Sequence, residues 1–207
     1  MLSDMFLNAF FPPVCPICQN RTETAGGLCP DCFARLRFVR DNLADRAAAV
    51  VYDEISRRLI LSLKYGDRLD LVPLLARLMH NAGQSVLQNA DLLTGIPLHW
   101  KRMLSRKYNQ SVVLAAELSK LSDVPLNPEL LKRIRATPKQ GTRKERFENV
   151  SGAFILDPKS NIRGKTIVLI DDVVTTGATA KACANVLLKG GAKEVRLLTF
   201  AKAQKEN

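Results

Sequence analysis

The chain has 207 residues, 46% of them apolar and 25% charged, the proportions of a water-soluble globular protein. Its 31 lysines and arginines against 20 acids give a net charge of +11, and residues 101–147 alone carry 12 cations against 4 acids. That length admits one α/β domain plus a small appendage, no run is long and apolar enough to span a membrane, and so concentrated a basic segment calls for an anionic partner such as nucleic acid or a polyphosphate.

The N-terminus, MLSDMFLNAFFPP, is apolar but carries Asp4 and has no basic flank of the kind that precedes a secretory signal. It predicts a short helix over Asp4–Phe11 docked on its own protein, with a peripheral membrane contact as the alternative, in a cytoplasmic chain. Cys15-Pro16-Ile17-Cys18 and Cys29-Pro30-Asp31-Cys32 follow as two C-x-x-C turns separated by ten residues. Two tight turns that each offer a pair of thiolates match a closed, tetrahedral, structural zinc site with ligands Cys15, Cys18, Cys29 and Cys32. Two disulfides would need a secretory context, and a redox motif would need a thioredoxin-like setting and one such turn. A module that small buries little core, so the metal supplies most of its folding energy. Cys183 stands apart and reads as a small buried side chain. These features divide the chain into a ribbon module, 1–45, and an α/β domain, 46–207.

Within the larger unit, residues 47–52 (AAAVVY) read as a strand. Ile55, Leu59, Ile60 and Leu63 have helical spacing, and the run leads to Lys64 and Arg68, cations whose composition suits a solvated helix end. A helix with Pro73 in its first turn comes next, then a strand over Asp91–Pro97 that ends in Pro97-Leu98-His99. Residues 102–110, RMLSRKYNQ, place four cations beside Tyr108 and open a helix over Gln110–Leu121. Cations beside an aromatic ring suit contact with a nucleic-acid backbone and base, through Arg102, Arg106, Lys107 and Tyr108, although a basic surface turn has the same composition. Asn127-Pro128-Glu129 predicts the start of a short helix that runs into Lys132, Arg133 and Arg135. The polar, basic stretch 136–150 suits either a lid or an exposed linker, and the sheet is expected to resume over Gly152–Leu156.

Thr166–Thr179, TIVLIDDVVTTGAT, is the most informative stretch. Ile167–Ile170 read as a strand buried on both faces, Asp171 and Asp172 follow, and Thr175-Thr176-Gly177 lead into an alanine-rich helix. Unpaired N–H groups at a helix N-terminus, reached past a glycine, form a phosphate cradle. Two carboxylates beside it repel phosphate, so they face hydroxyls or a cation; a sugar phosphate with vicinal hydroxyls and Mg²⁺ fits both halves. A helix to Leu188, the Gly190-Gly191 stop and a strand over Val195–Phe200 complete a strand–helix–strand unit.

The Thr166–Thr179 segment resembles the signature loop of type I phosphoribosyltransferases. Taken with the four cysteines, Leu63-Lys64-Tyr65, Pro97-Leu98-His99, Arg106-Lys107-Tyr108-Asn109-Gln110, Arg133, Arg135-Ala136-Thr137 and Asn149-Val150-Ser151-Gly152-Ala153-Phe154, the pattern is similar to the ComF family over nearly the whole chain. Lys107 stands where that family usually carries glycine. The resemblance implies a type I phosphoribosyltransferase fold, a mainly parallel sheet flanked by helices, behind a four-cysteine zinc ribbon. It implies that phosphoribosyl pyrophosphate (PRPP), with Mg²⁺, is held by Asp171, Asp172, Val173, Val174, Thr175, Thr176, Gly177, Ala178 and Thr179. Pro97, Leu98 and His99 would meet the pyrophosphate, and Thr137–Asn149 would form a catalytic loop with Gln140 and Arg146. It also implies a role with incoming single-stranded DNA in natural transformation, beside a helicase-like partner. Three functions stand as candidates: a DNA-handling protein that keeps a PRPP site, a Mg²⁺-dependent transferase, and a PRPP-sensing regulator.

Overall fold

The computed structural model describes residues 12–135 and 152–204. The expected N-terminal helix and the 136–150 segment, with Gln140 and Arg146, lie outside the described residues.

Four strands, β1 (Arg46–Val51), β2 (Leu92–Gly95), β5 (Thr166–Val174) and β6 (Glu194–Lys202), form a wholly parallel sheet in the order β1-β6-β5-β2. Apolar runs such as Ile167–Ile170 require cover on both faces, and two separate cores provide it. On one face, Val168, Ile170, Leu198 and Phe200 pack with α2 (Glu54–Tyr65), α3 (Val72–Ala82) and α6 (Gln110–Ser122). On the other, Ile167 and Leu169 pack under α7 (Ala178–Lys189), with the fully buried Cys183 and Leu187. The short helices α1 (Pro30–Ala34), α4 (Gln84–Leu87) and α5 (Trp100–Arg106) fill the connections.

Two expectations need correction. The residues after Asn127-Pro128-Glu129 are a strand, β3 (Leu131–Arg133), paired antiparallel with β4 (Phe154–Leu156) in a separate two-stranded sheet. The Asn127 side chain accepts the Glu129 N–H at 3.1 Å and closes a turn there, and burial of Leu130 and Leu131 holds the next residues extended against β4. The parallel strand also does not stop before the acids. β5 continues through Asp171 and Asp172 because β6 keeps pairing with it as far as Val174 opposite Lys202. The two carboxylates are therefore held by the sheet, and only Thr175, Thr176 and Gly177 form the connection to α7.

The ribbon is seated on the larger unit. Ile17 and Leu28 pack against both the cysteine cluster and the main core. Gly26, at φ 72°, lies so close to Asp70 that an added Cβ would sit 2.0 Å from its carbonyl oxygen. No helix among the described residues is long and apolar enough to cross a membrane.

Candidate functional site

β2 and β5 are parallel neighbours, so the segments that leave their carboxyl ends lie side by side. The Ile96 N–H donates to the Ile170 carbonyl at 2.9 Å and carries the pairing one step past β2. Pro97 and His99 are buried just beyond it. This brings Pro97–His99 next to the acid pair, although the two stretches are far apart in sequence. Ligand sites of open parallel sheets lie at such carboxyl ends.

At the end of β5 a cavity of about 50 Å³ is lined by Asp171, Val174, Thr175, Thr176, Gly177 and Thr179, among others. Gly177 is the N-cap of α7 with φ 73°, a conformation that costs a side-chain-bearing residue about 1–2 kcal/mol. It provides no side-chain cap, and Thr179 and Ala180 of the first helical turn also line the cavity. The Thr176 hydroxyl accepts the Ala178 N–H at 3.4 Å. Anion-seeking N–H groups and two carboxylates thus meet at one strand end.

The acids differ in their surroundings. Asp171 accepts the Ser111 hydroxyl at 2.8 Å and the Asp172 N–H at 2.9 Å. Its burial, and then the charge of Asp172, push its carboxyl up from 3.8 to about 7. Asp172 instead meets the Lys64 ammonium at 2.6 Å, with side chains 10% and 18% exposed respectively. Lys64 is therefore not a solvated helix end. It reaches the acid pair because the last turn of α2 packs beside the sheet end, a contact without local sequence signal. Ser111 is the second residue that the sequence did not point to. The Asn109 side chain accepts the Ser111 N–H at 3.0 Å as N-cap of α6 and donates to the Ile96 carbonyl at 3.0 Å. Asn109 so ties the segment after β2 to the helix that holds Asp171. Gly95 permits the close approach: a Cβ there would lie 2.6 Å from the Val112 nitrogen.

Among the basic residues, Arg102 lies on α5 and its side chain is not described. The Arg106 guanidinium lies 5.0 Å from the centre of the Tyr65 ring and donates to its hydroxyl at 2.9 Å and to Gln110 at 3.2 Å. Lys107 adopts φ 63° and pairs with Asp67 at 2.5 Å. The Tyr108 hydroxyl donates to the Leu63 carbonyl, and its ring packs against the main core.

In the ribbon, all four cysteine sulfurs lie within 4.8 Å of one another and none is in a disulfide. A tetrahedral zinc with Zn–S bonds of about 2.3 Å sets its sulfurs about 3.8 Å apart, so the cluster fits that ion. Burial works to raise the Cys15 thiol, but the N–H groups of Cys18, Cys29 and Ile17 outweigh it and bring it down to about 6. Three of the four cysteines are buried in a closed structural site.

Comparison with known proteins agrees with this architecture. Residues 108–207 match the phosphoribosyl transferase domain family, and residues 6–57 match the double zinc ribbon domain family. DNA utilization protein YhgH of Escherichia coli (strain K12) is 30% identical over 203 residues, covering 89% of this chain and 88% of that protein. Competence protein F of Haemophilus influenzae is 30% identical over 153 residues, covering 70% of this chain and 67% of that protein. The chain belongs to the ComF family. Competence protein ComFC of Bacillus subtilis (strain 168) is 28% identical over 195 residues, covering 92% of this chain and 78% of its own length. This ComF-family chain accordingly joins a phosphoribosyltransferase fold to a zinc ribbon with four cysteines, enough for one structural ion.

Proposed function

We propose that this ComF-family chain binds PRPP together with Mg²⁺ at the end of β5 and handles single-stranded DNA in the cytoplasm during natural transformation. One observation carries the ligand assignment: an acid pair held by the sheet stands directly before a glycine-capped helix N-terminus. The helix N-terminus favours the 5-phosphate through its N–H groups and its dipole, and the acids favour the ribose hydroxyls. The donor set fits Mg²⁺, a hard cation that takes oxygen ligands, since Asp171 and Asp172 offer carboxylate oxygens. When bound, Mg²⁺ supplies charge neutralisation for the pyrophosphate. Asp171 and Asp172 orient the sugar, and Pro97–His99 lie where the pyrophosphate would rest. The DNA role rests on the names of the competence and DNA-utilization relatives and on the basic middle of the chain.

Calorimetric titration of PRPP into the zinc-loaded protein with Mg²⁺ tests the site. Saturable binding at one site per chain, abolished in Asp172→Ala and at least about tenfold tighter than inorganic phosphate, is expected. Binding no tighter than phosphate overturns the assignment. Pyrophosphate release in the presence of bases and amines then separates turnover, in which Gln140 and Arg146 would take part, from binding alone. Titration of a fluorescent oligonucleotide at two salt concentrations tests the DNA role; affinity insensitive to salt counts against it.

A further inference from the structure

We infer that Lys64 is the resident counter-cation of the acid pair, standing at Asp172 where a lone divalent metal would otherwise bind, so that the site takes metal only together with its sugar-phosphate ligand. This inference rests on the assignment of a sugar phosphate to the end of β5. Two adjacent carboxylates at the mouth of a sheet are a natural trap for a free divalent cation. Here one Asp172 oxygen is already held at 2.6 Å by an ammonium, and both side chains are largely removed from water. Such a pair is little screened, unlike a surface ion pair. The groups seen on Asp171, the Ser111 hydroxyl and the Asp172 N–H, are neutral donors that compensate no charge.

Lys64 is also held in place. It lies in the last turn of α2, and the residues around it are clasped by the α5–α6 connection. Tyr108 donates to the Leu63 carbonyl, Arg106 lies over the Tyr65 ring, and Lys107 pairs with Asp67. At the other end of α2, Asp53 and Ser56 form a reciprocal cap. The backbone that carries Lys64 is thus held at both ends of α2. A metal that arrives alone must displace the ammonium from a half-closed site. A metal that arrives on PRPP brings phosphate oxygens as most of its ligands, needs less from the acids, and gives Lys64 a phosphate to meet.

Mn²⁺ titration followed by electron paramagnetic resonance tests this on the full, zinc-loaded chain at pH 8.5. Mn²⁺ is too hard an ion to displace zinc from four thiolates. In the wild type and in Lys64→Arg, Mn²⁺ alone is expected to stay free. In Lys64→Met and Lys64→Gln, one equivalent is expected to bind at least about tenfold more tightly than in the wild type. Equal Mn²⁺ affinity in the wild type and both neutral variants overturns the inference, as does loss of exclusion in Lys64→Arg. Adding PRPP to the wild type is expected to recruit Mn²⁺. If PRPP fails to bind at all, the sugar-phosphate assignment falls, whereas the contrast in Mn²⁺ alone still decides the role of Lys64.

Discussion

Replacing Asp171 by Asn should stabilise the folded protein while weakening its ligand site, and the gain should depend on pH. Burial and the neighbouring Asp172 raise the Asp171 carboxyl from 3.8 to about 7 in the folded chain. At about 1.4 kcal/mol per pKa unit, ionised Asp171 costs the folded state about 4 kcal/mol at alkaline pH. The sign comes from linkage. Between pH 3.8 and 7 the folded state holds a proton that the unfolded chain has lost, so stability falls as pH rises through that window and levels off above it. Asn keeps an oxygen that can accept from Ser111 and from the Asp172 N–H, and it carries no charge to desolvate. Denaturant unfolding of the zinc-loaded wild type and Asp171→Asn at pH 6 and pH 8.5 checks this without entering the acid range in which thiolates lose metal. The variant should be more stable at both, with an advantage about 1 kcal/mol larger at pH 8.5, and its PRPP affinity should fall. An advantage that does not grow with pH, or a variant less stable at pH 8.5, refutes the reasoning.

Chelation of the ribbon metal, or Cys15→Ser, should release one zinc per chain and lower the thermal midpoint; a chain that keeps its midpoint without zinc would deny the metal a structural role. Lys107→Gly should leave stability unchanged or raise it by up to about 1 kcal/mol, because relief of the φ 63° backbone offsets both the entropy of glycine and the loss of a pair with Asp67 that is 73% and 58% exposed. A loss above about 1 kcal/mol in denaturant unfolding would instead assign that pair a real anchoring role. Gly95→Ala should cost about 2–3 kcal/mol, since its methyl would lie 2.6 Å from the Val112 nitrogen and 2.8 Å from the Ser111 carbonyl carbon. The same shift should separate Ser111 from Asp171, so PRPP affinity should drop with stability; a neutral Gly95→Ala would show that β2 and α6 can part freely.

The features legible in the sequence were local ones. The run Ile167–Ile170, the paired acids, the glycine and the helix after it are contiguous, and each cysteine pair is a single turn. The features that escaped it depend on pairing between distant segments. Asp171 and Asp172 suit a turn by composition, and only the β6 partner, still paired at Val174, keeps them in the strand. A strand of three residues such as Leu131–Arg133 is too short for alternation to show, and a proline-started turn before it resembles a helix start. Lys64 has the composition of a solvated residue, and nothing near it in sequence announces Asp172. Ser111 is one hydroxyl in the first turn of a helix, where hydroxyls usually serve as caps.

The same distinction between fixed and exchangeable contacts bears on the proposed contact of the basic segment with nucleic acid. The floor of the site is held by a buried hydrogen bond from Asn109 to Ile96 and a half-buried one from Ser111 to Asp171. The contacts of Arg106 with Tyr65 and of Lys107 with Asp67 lie at the surface, and an ion pair as exposed as the second is weak and screened by salt. A nucleic-acid phosphate can therefore take over from Asp67 or Tyr65 at little cost, whereas Tyr108 has its hydroxyl on Leu63 and its ring against the core. The proposed contact would thus depend on charge, and any stacking would fall to Tyr65 or Trp100, which are 63% and 57% exposed.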